Sequence, residues 1–478
     1  MGSRYSAAIR AQRPLVVILG ATGTGKTKLS VQLASHFGGE IINADSMQLY
    51  QGLPIATNQA TVEEQAGIPH HMLAFLPPEH IGYTVVAYRD AVLPLLHQIW
   101  ERGKLPVLVG GTAYYIESVL WNVLLSPAES SPESSKSREN FFLQDLPEEL
   151  RLASNERLYE KLRELDAETA AVTDPFNRRR LLRALQIQYQ HGVSWQKLLG
   201  QQQEQEGGSS LGGPLRFPNS IIFWLTAGRE VLVERLNKRV DAMLVAGLRQ
   251  EIETFYDSAM VPRRAELEAV KAELGEAEAK AGECEKGLFQ SIAMKEFLPY
   301  LSAKERCGFK ADRRFAKGLE KLQIATRQYA RRQDKWVRNR MLRQSDRVVP
   351  PVFGLDTSEV ENWDSNVRDP AFTVTQHLIN SSAQSANDID DWPMERLELE
   401  SDGIEASDKK RLFYCHLCQR RIYGLNGFQL HQKGKEHKHQ VKLRRILAEI
   451  PAEELSEDQS IRELQRILAL RKLRLEPE

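Results

Sequence analysis

Short apolar runs alternate with longer amphipathic segments over residues 14–125. The runs "PLVVILG", "EIINADS" and "LPVLVGGT" are rich in Val, Ile and Leu, whereas "TKLSVQLASHF" and "YTVVAYRDAVLPLLHQIWERG" repeat apolar residues at helical spacing. Such an alternation predicts a parallel sheet covered by helices. A later run, "SIIFWLTAG", and the amphipathic segment after it predict a return of the chain to the same sheet.

The polar segments divide the chain into parts. Ser/Glu-rich and Gly/Gln-rich stretches bound a helical segment, which is therefore predicted to be an insertion in the core. The first residues contain arginines but no acid, which is compatible with a weak targeting segment or a frayed terminus. The predicted organisation is a flexible or weakly targeting N-terminus (1–13), the first part of the core (14–125), a helical insertion (126–215), the return of the core with basic helices (216–345) and an Ala/Glu/Lys-rich helical insertion (262–286), an acidic linker (346–408), a finger module (409–448) and a C-terminal helix (449–478).

Composition narrows the class of protein. A chain of 478 residues with 42% hydrophobic residues has enough material for two or three folded units. A formal net charge of zero argues against non-specific nucleic-acid binding by the chain as a whole. The sequence has no apolar run of the length that spans a bilayer, and its four cysteines do not form a disulfide framework, so a reducing compartment is expected.

The segment "GATGTGKT" directly follows the first predicted strand and precedes a predicted helix. This is the context that a phosphate-binding loop requires, because its backbone N–H groups and the helix N-terminus converge on phosphate oxygens. Lys26 is expected to reach a phosphate, and the Thr27 hydroxyl is expected to hold Mg²⁺. The predicted diphosphate-binding residues of the loop are Gly20, Ala21, Thr22, Gly23, Thr24, Gly25, Lys26 and Thr27.

Two further strand ends are expected beside this loop, since ligands of α/β proteins bind at the carboxyl edge of the sheet. Asp45 follows the strand in "EIINADS" and could coordinate Mg²⁺ through water, cap the next segment or act as a general base. Thr112 follows two glycines in "VGGTAYY", a pattern that allows close backbone approach.

Two basic segments are candidates for anion binding. Arg235 and Arg239 lie four residues apart on one face of a predicted helix, where they either clamp an anionic ligand or form a solvated face. Residues 325–344 are rich in arginine with interleaved Tyr and Trp, a pattern that suits an RNA backbone.

The segment "YCHLCQRRIYGLNGFQLHQKGKEHKH" carries the spacing of a C₂H₂ zinc site. Two thiolates and two imidazoles, from Cys415, Cys418, His431 and His437, are expected to close a tetrahedral structural Zn²⁺ site. The predicted fold class is therefore α/β: a parallel-sheet core like that of P-loop NTPases, with a helical insertion domain, a helical C-terminal extension and a small C₂H₂ zinc finger.

Together these motifs resemble those of the tRNA dimethylallyltransferases, also called tRNA isopentenyltransferases, from about Leu15 to Arg340. The segments that carry the resemblance are "GATGTGKT", "NADSMQLYQGLPIATNQ", "IPHHML", "VGGTAYY", "DPFNRRRLLRALQI", "LVERLNKRVDAML", "GLFQSIAMKEF" and "TRQYARRQDKW", and they occur in family order. The finger resembles that of eukaryotic members of the family.

The resemblance implies that the loop holds dimethylallyl diphosphate and that the acceptor is N6 of the adenosine directly 3′ of the anticodon. Asp45 would then accept the N6 proton, with Thr22 and Thr112 lining the channel where donor and base meet. Lys26 and Arg239 would stabilise the departing diphosphate, with Mg²⁺ at Thr27 and with Arg235 as the alternative arginine.

The acceptor adenosine is expected to flip out of its stack to enter the site, and the enzyme is expected to act as a monomer on the tRNA anticodon arm. The residues implied in tRNA binding are Asp45, Ser46, Met47, Gln48, Leu49, Tyr50, Arg178, Arg179, Arg180, Arg183, Phe289, Gln290, Ser291, Arg327, Gln328, Arg331, Arg332, Gln333 and Trp336.

Three other functions are compatible with parts of the sequence. A P-loop small-molecule kinase would share the core and the arginine helix, and an adenylate isopentenyltransferase would share the core but prenylate a free nucleotide. The finger alone would also allow a non-enzymatic RNA-binding or chromatin protein whose nucleotide domain acts only as a switch. The basic segment 325–344 favours a polynucleotide acceptor, and the intact loop with Asp45 and Thr112 favours an enzyme. We expect a cytoplasmic protein, with mitochondrial and nuclear pools as alternatives.

Overall fold

The structure is a computed structural model. It describes residues 5–80, 83–123, 146–209, 211–265, 287–343, 347–380, 392–397, 412–418, 420–423, 425–434 and 437–442. The predicted C-terminal helix (449–478), nearly all of the Ala/Glu/Lys-rich insertion (262–286) and the Ser/Glu-rich start of the helical insertion lie outside the described residues.

Six parallel strands form the central sheet, in the order β3-β2-β4-β1-β5-β6. Their bounds are β1 Leu15–Gly20, β2 Glu40–Asn43, β3 His70–His71, β4 Pro106–Val109, β5 Ser220–Thr226 and β6 Val352–Asp356. The inner strands are buried along nearly their whole length because helices cover both faces, which explains their continuous apolar runs. The predicted parallel α/β core is confirmed.

Helices cover the sheet and extend from it. Their bounds are α1 Ser6–Gln12, α2 Lys26–Phe37, α3 Val62–Gln65, α4 Val85–Glu101, α5 Ala113–Leu120, α6 Glu148–Leu152, α7 Asn155–Leu165, α8 Ala167–Val172, α9 Arg178–His191, α10 Trp195–Gln203, α11 Arg229–Val245, α12 Leu248–Phe255, α13 Ile292–Leu301, α14 Phe309–Val337, α15 Asp369–Asn380 and α16 Leu425–Lys433. A two-stranded antiparallel sheet, β7 Leu412–Cys415 and β8 Arg420–Tyr423, precedes α16. Among the described residues, no helix combines the length and apolar character needed to cross a membrane.

The helical insertion has a hydrophobic core of its own. Leu158 and Leu162 of α7 pack with Leu181 and Leu185 of α9, and all four side chains are fully buried. Helices α6 to α10 lie between β4 and β5 in sequence, so the chain leaves the sheet after α5 and returns at β5. The apolar cluster of these helices is separate from the main core around the sheet.

The described part of the N-terminal segment, residues 5–13, is folded, whereas a flexible or weakly targeting segment was expected over 1–13. Residues Ser6–Gln12 form α1, and Ile9 is completely buried. The ring of Tyr5 packs against Phe37 at the end of α2, with ring centroids 5.1 Å apart. Tyr5 and Ile9 are apolar side chains among the arginines of this segment, and they account for the packing.

The expectation of an acidic linker over 346–408 is also wrong for its first part. Val352–Asp356 adds β6 to the sheet beside β5, and Asp369–Asn380 forms α15, whose inward side chains are buried. The segment as a whole is acidic, so its short apolar strand, "VFGLD", was not predicted. This strand is stabilised by pairing with β5. Residues 381–391 and 398–408 lie outside the described residues.

Candidate active site and candidate zinc centre

The phosphate loop, residues 20–27, connects β1 to α2 at the carboxyl edge of the sheet. Gly20 (φ 149°) and Gly25 (φ 86°) adopt backbone conformations that favour glycine, and a Cβ on Gly20 would lie 2.6 Å from the carbonyl oxygen of Leu225. Gly25 caps α2, so the positive end of the helix dipole faces the loop. The loop therefore has the conformation that an anion-binding cradle requires.

Lys26 points back into this loop. Its Nζ donates hydrogen bonds to the carbonyl oxygens of Gly20 (3.0 Å) and Ala21 (2.9 Å). Burial and the nearby positive charge of Arg239 lower the pKa of Lys26 to about 8, while Asp45 acts in the opposite direction. A bound polyanion would favour the charged form, so the loop gains positive charge where the ligand supplies negative charge.

Asp45 lies just past β2, at the same edge of the sheet. Its Oδ1 accepts a hydrogen bond from the backbone N–H of Met47 (3.1 Å), so the carboxylate also fixes the turn that follows. Burial raises the pKa of Asp45, and the charge of Lys26 opposes that rise. A carboxylate with raised proton affinity next to a cationic loop is suited to accept a proton.

Thr112 joins the segment of Asp45 to the end of β4. Its Oγ1 accepts a hydrogen bond from the backbone N–H of Ser46 (2.9 Å) and donates one to the Ser46 hydroxyl (3.1 Å). The two preceding glycines allow this approach, because a Cβ on Gly110 would lie 2.2 Å from the backbone of Ala44. The structure thus brings Asp45 and Thr112 together, as the strand pattern predicted.

Gln333, on α14, connects the phosphate loop to the Gly111 segment. Its Oε1 accepts a hydrogen bond from the backbone N–H of Thr22 (2.8 Å), and its Nε2 donates one to the carbonyl oxygen of Gly111 (3.1 Å). A Cβ on Gly111 would lie 2.2 Å from Nε2 of Gln333 and 3.0 Å from Oδ2 of Asp45. The side-chain amide of Gln333 therefore fixes the distance between the phosphate loop and the segment that carries Thr112.

Tyr329 lies one turn before Gln333 on the same face of α14. Its hydroxyl is 3.5 Å from the carbonyl oxygen of Gly111, and burial raises its pKa, as does the charge of Asp45. Sequence reasoning missed this residue and missed the bridging contacts of Gln333. The only signal was their i, i+4 spacing within an otherwise basic segment.

The two arginines of α11 have different partners. Arg239 donates from Nη1 to the hydroxyl of Thr22 (2.6 Å), and burial lowers its pKa. Arg235 instead donates to the carbonyl oxygens of Thr357 and Ser358, the latter at 2.9 Å, and to the Thr357 hydroxyl. The geometry favours Arg239 as the arginine of the phosphate loop. The prediction of Arg235 as a diphosphate ligand is not supported, because its donors serve the segment after β6.

Several residues expected to bind tRNA are accessible. Ser46, Met47 and Gln48 are partly exposed beside Asp45. Exposed arginines form two basic faces, one on α9 with Arg179 and Arg180 and one on α14 with Arg331 and Arg332. The side chain of Gln328, also on α14, is exposed as well. Arg183, Arg327, Gln290 and Trp336 also retain solvent exposure.

Other residues expected to bind tRNA are buried or engaged within the protein. Leu49, Tyr50, Phe289, Ser291 and Gln333 each keep less than a tenth of their surface exposed. The rings of Phe289 and Phe255 pack 5.7 Å apart in the core. Arg178 donates to the carbonyl oxygens of Ala153 and Arg151, both at 2.6 Å, which holds α9 to α6. Burial thus assigns these side chains to packing and positioning.

The four predicted zinc ligands come together. Sγ of Cys415 and Sγ of Cys418 each lie 3.5 Å from Nδ1 of His437, and Nε2 of His431 lies 3.2 Å from the same nitrogen. All four ligand atoms lie within 4.8 Å of one another. Ligands around tetrahedral Zn²⁺ at about 2.0–2.3 Å are roughly 3.3–3.8 Å apart. The three distances to Nδ1 of His437 lie close to this range, and ligand atoms as far apart as 4.8 Å would move together when the ion binds.

A small aromatic contact supports this module. The rings of Phe413 on β7 and Phe428 on α16 stack with centroids 5.2 Å apart. Among the described residues, this Cys/His cluster is the one group of metal-ligand type brought within coordinating distance. A module as small as one hairpin and one helix would depend on a metal for stability.

Comparison with known proteins gives consistent matches. The family model described as IPP transferase matches residues 48–340, and one described as isopentenyl transferase matches residues 14–74. The chain is 40% identical over 440 residues to a tRNA dimethylallyltransferase of Mus musculus, covering 92% of this chain and 88% of that protein. It is 40% identical over 437 residues to a tRNA dimethylallyltransferase of Homo sapiens, covering 91% and 87%.

A solved structure shares the architecture. The chain resembles a eukaryotic dimethylallyltransferase described as acting on tRNA, with a TM-score of 0.64 and 26% sequence identity, over 91% of this chain and 98% of that one. The likeness extends beyond the sheet, since it covers nearly the full length of both chains.

Proposed function

The chain belongs to the IPP transferase family, and from this premise we propose that it prenylates N6 of the adenosine directly 3′ of the tRNA anticodon. It is a transferase that isopentenylates tRNA, with dimethylallyl diphosphate as the donor. The observation that carries the proposal is the position of Asp45. Its Oδ2 lies beside Gly111, its charge acts on Lys26 of the phosphate loop, and the side chain of Gln333 holds the loop and the Gly111 segment together.

The reaction exchanges one bond for another at carbon. A bond forms between adenine N6 and C1 of the dimethylallyl group while the bond from C1 to the diphosphate oxygen breaks. The electron pair of the broken bond leaves with diphosphate, and the N6 proton passes to Asp45. An adenine N6 is a weak nucleophile because its lone pair is delocalised into the ring, so a base with raised pKa assists the attack.

The phosphate loop stabilises the departing diphosphate. Lys26, the loop amides and Arg239 supply positive charge at the site where negative charge gathers. The Thr27 hydroxyl is exposed in the first turn of α2, and together with diphosphate oxygens it offers the hard oxygen ligands that suit Mg²⁺. When bound, Mg²⁺ would neutralise part of the diphosphate charge.

The basic faces of α9 and α14 support a polynucleotide acceptor. Arg331 and Arg332 are exposed on α14, whose buried face carries Tyr329 and Gln333 into the site. An RNA held on the exposed face would place an unstacked base near Asp45, so we infer a flipped adenosine. We also infer that the enzyme acts as a monomer, as the family resemblance implies.

The position of the modification can be tested with two transcripts. The wild-type protein would be incubated with Mg²⁺, labelled dimethylallyl diphosphate and unmodified tRNA that carries adenosine 3′ of the anticodon. A matched transcript would carry guanosine at that one position. Label should enter the first transcript alone, and nuclease digestion should yield N6-isopentenyladenosine. Equal labelling of both transcripts would contradict the proposed acceptor.

The pH dependence of kcat/KM for the donor should report the protonation state of Lys26. Its pKa of about 8 in the free enzyme means that the charged form is lost as the pH rises through that value, so kcat/KM for the donor should fall above pH 8. We expect a loss of roughly tenfold per pH unit on this limb, as for a single required proton.

The acceptor provides the control for this pH profile. With the donor saturating, bound diphosphate keeps Lys26 charged, so kcat/KM for tRNA should not show the same limb. A donor profile that stays flat to pH 10 would show that the charge of Lys26 does not govern donor capture.

Zinc binding is proposed for the Cys/His cluster and can be measured directly. The double variant Cys415→Ser/Cys418→Ser should lose about one bound zinc per chain, because a hydroxyl is a much weaker zinc ligand than a thiolate. Cys307→Ser is the matched control, since that cysteine is exposed and lies outside the cluster. Elemental analysis of purified protein would show the difference, and unchanged zinc in the double variant would contradict the assignment.

A further inference from the structure

Residues 352–380 form a segment, here called the C-terminal strap, that lies outside the region matched by the IPP transferase model. The strap comprises β6, a turn at 356–358, Trp363 and α15. Its strand β6 runs parallel to β5 and ends at the carboxyl edge of the sheet, from which the chain crosses to the phosphate loop. A linker, as predicted from the sequence, would make no such contacts with the loop.

The turn is fixed to the sheet and to α11. The backbone N–H of Thr357 donates to the carbonyl oxygen of Thr226 at the end of β5 (2.8 Å), and Gly228 N–H donates to the hydroxyl of Ser358 (2.8 Å). Arg235 reaches across from α11 to the carbonyl oxygens of the same two strap residues. A charged side chain with three acceptors in one turn makes this connection rigid.

Trp363 carries the strap onto the loop. A Cβ on Gly25 would lie 2.6 Å from the Trp363 ring, so the ring rests directly on the Gly25 backbone. The indole Nε1 donates to Oε1 of Gln32 on α2 (2.9 Å), and the ammonium of Lys28 lies 4.5 Å from the ring centroid. Only 5% of the Trp363 surface is exposed, so the ring contributes its packing rather than a solvent-facing surface.

The loop is therefore held from two sides. Leu232 and Leu236 of α11 approach Gly23, with the nearest atom 3.0 Å from an ideal Cβ at that position. Trp363 packs on Gly25, and Arg235, next to Leu236 on α11, holds the strap turn. Glycines give the loop its shape but leave it many alternative conformations, so the contacts on either side restrict it to the anion-binding one.

We propose that Trp363 is a positioning residue of the donor site and that the strap is a working part of that site. The inference rests on the proposed function, because it takes the loop as the place where donor diphosphate binds. Trp363 does not contact the diphosphate; it acts through Gly25 and the first turns of α2. Its loss should weaken donor capture and leave the acceptor side of the site intact.

Two tryptophans of the strap region allow a matched test. Trp392 packs on Phe353 of β6 and on His377 of α15, with ring centroids 5.2 Å and 4.7 Å apart, and it contributes no contact to the loop. Trp363→Ala should raise the KM for dimethylallyl diphosphate about tenfold, with the KM for tRNA and kcat within about twofold of the wild type. Trp392→Ala should lower the thermal midpoint without this selective change. Trp363→Phe keeps a ring on Gly25 and should restore most of the donor affinity.

Binding of Mg²⁺ with inorganic diphosphate, measured by calorimetry on the full chain, gives a readout independent of transfer. It should weaken by a similar factor in Trp363→Ala and not in Trp392→Ala. If the wild type transfers no prenyl group but this binding difference persists, the proposed function fails and the positioning role stands. If Trp363→Ala and Trp392→Ala change donor KM, tRNA KM and diphosphate binding alike, the positioning role is overturned. Should an alanine variant not fold, Trp363→Leu and Trp392→Leu provide the same comparison.

Discussion

Asp45→Asn is expected to lower kcat by about a hundred- to ten-thousandfold, the range attributed to general base catalysis. Asparagine keeps the shape of the carboxylate and can still accept the hydrogen bond from the backbone N–H of Met47. It cannot take the proton from adenine N6. The loss should therefore appear in the rate of the chemical step, measured in single turnovers with saturating donor and tRNA.

The binding of the donor separates this effect from a general loss of structure. Asp45 raises the pKa of Lys26 by its charge, an effect smaller than those of burial and of Arg239, so its removal should leave the binding of Mg²⁺ with inorganic diphosphate within a few fold of the wild type. Thermal unfolding should be little changed. If Asp45→Asn retained more than a tenth of the wild-type rate, another group would have to be the base.

Arg239→Ala is expected to lower kcat by about a hundred- to a thousandfold, as when one preorganised donor of an anion-stabilising site is removed. The Arg239 guanidinium lies 2.6 Å from the Thr22 hydroxyl and is buried beside the phosphate loop. Its charge stabilises the diphosphate more as the carbon–oxygen bond breaks than in the intact donor, so the effect should fall mainly on kcat. Rapid-quench measurement of the first turnover would show it.

Arg235→Ala, one turn away on the same helix, is the comparison variant. The partners of Arg235 are Thr357 and Ser358 of the strap, so its loss should resemble a weaker form of Trp363→Ala, with a higher donor KM and a kcat within severalfold of the wild type. Equal losses of kcat in the two arginine variants would contradict the assignment of Arg239 alone to the departing diphosphate.

The residues that sequence could place at the site share one property: each follows a strand. Gly20 ends β1, Asp45 comes shortly after β2, and Thr112 follows β4. Parallel strands bring their carboxyl ends to one edge of the sheet, so a pattern of apolar runs already implied that these residues meet. The family resemblance favours Arg239 over Arg235, and the contact of Arg239 with Thr22 agrees with that preference.

The residues that sequence could not place are those that reach the site from distant elements. Gln333 bonds to Gly111 from 222 residues further along the chain, and it lies in a helix rich in arginine and lysine. Burial of one face of α14 against β1 and α11 decides that Gln333 and Tyr329 point inward while Arg331 and Arg332 point outward. Spacing shows which residues share a face, but only packing shows which face is inside.

The strap shows a second reason. Acidic and polar residues surround Trp363 in the sequence, and this composition alone indicates a linker. The order of the strap depends on the free edge of β5 and on the exposed backbone of Gly25, neither of which can be read from the segment itself. The strand β6 has three buried apolar residues, Val352, Phe353 and Leu355, but the longer acidic and polar stretch that follows determines the composition of the segment.

The choice of acceptor tests the central claim most directly. Purified protein with Mg²⁺ and labelled dimethylallyl diphosphate would be given unmodified tRNA, free AMP or ATP in separate reactions. We predict label in the tRNA, none in AMP, and no turnover of ATP. Label in AMP alone would place the protein among enzymes that prenylate free nucleotides, and ATP consumption without prenyl transfer would contradict the assignment of the loop to a prenyl diphosphate.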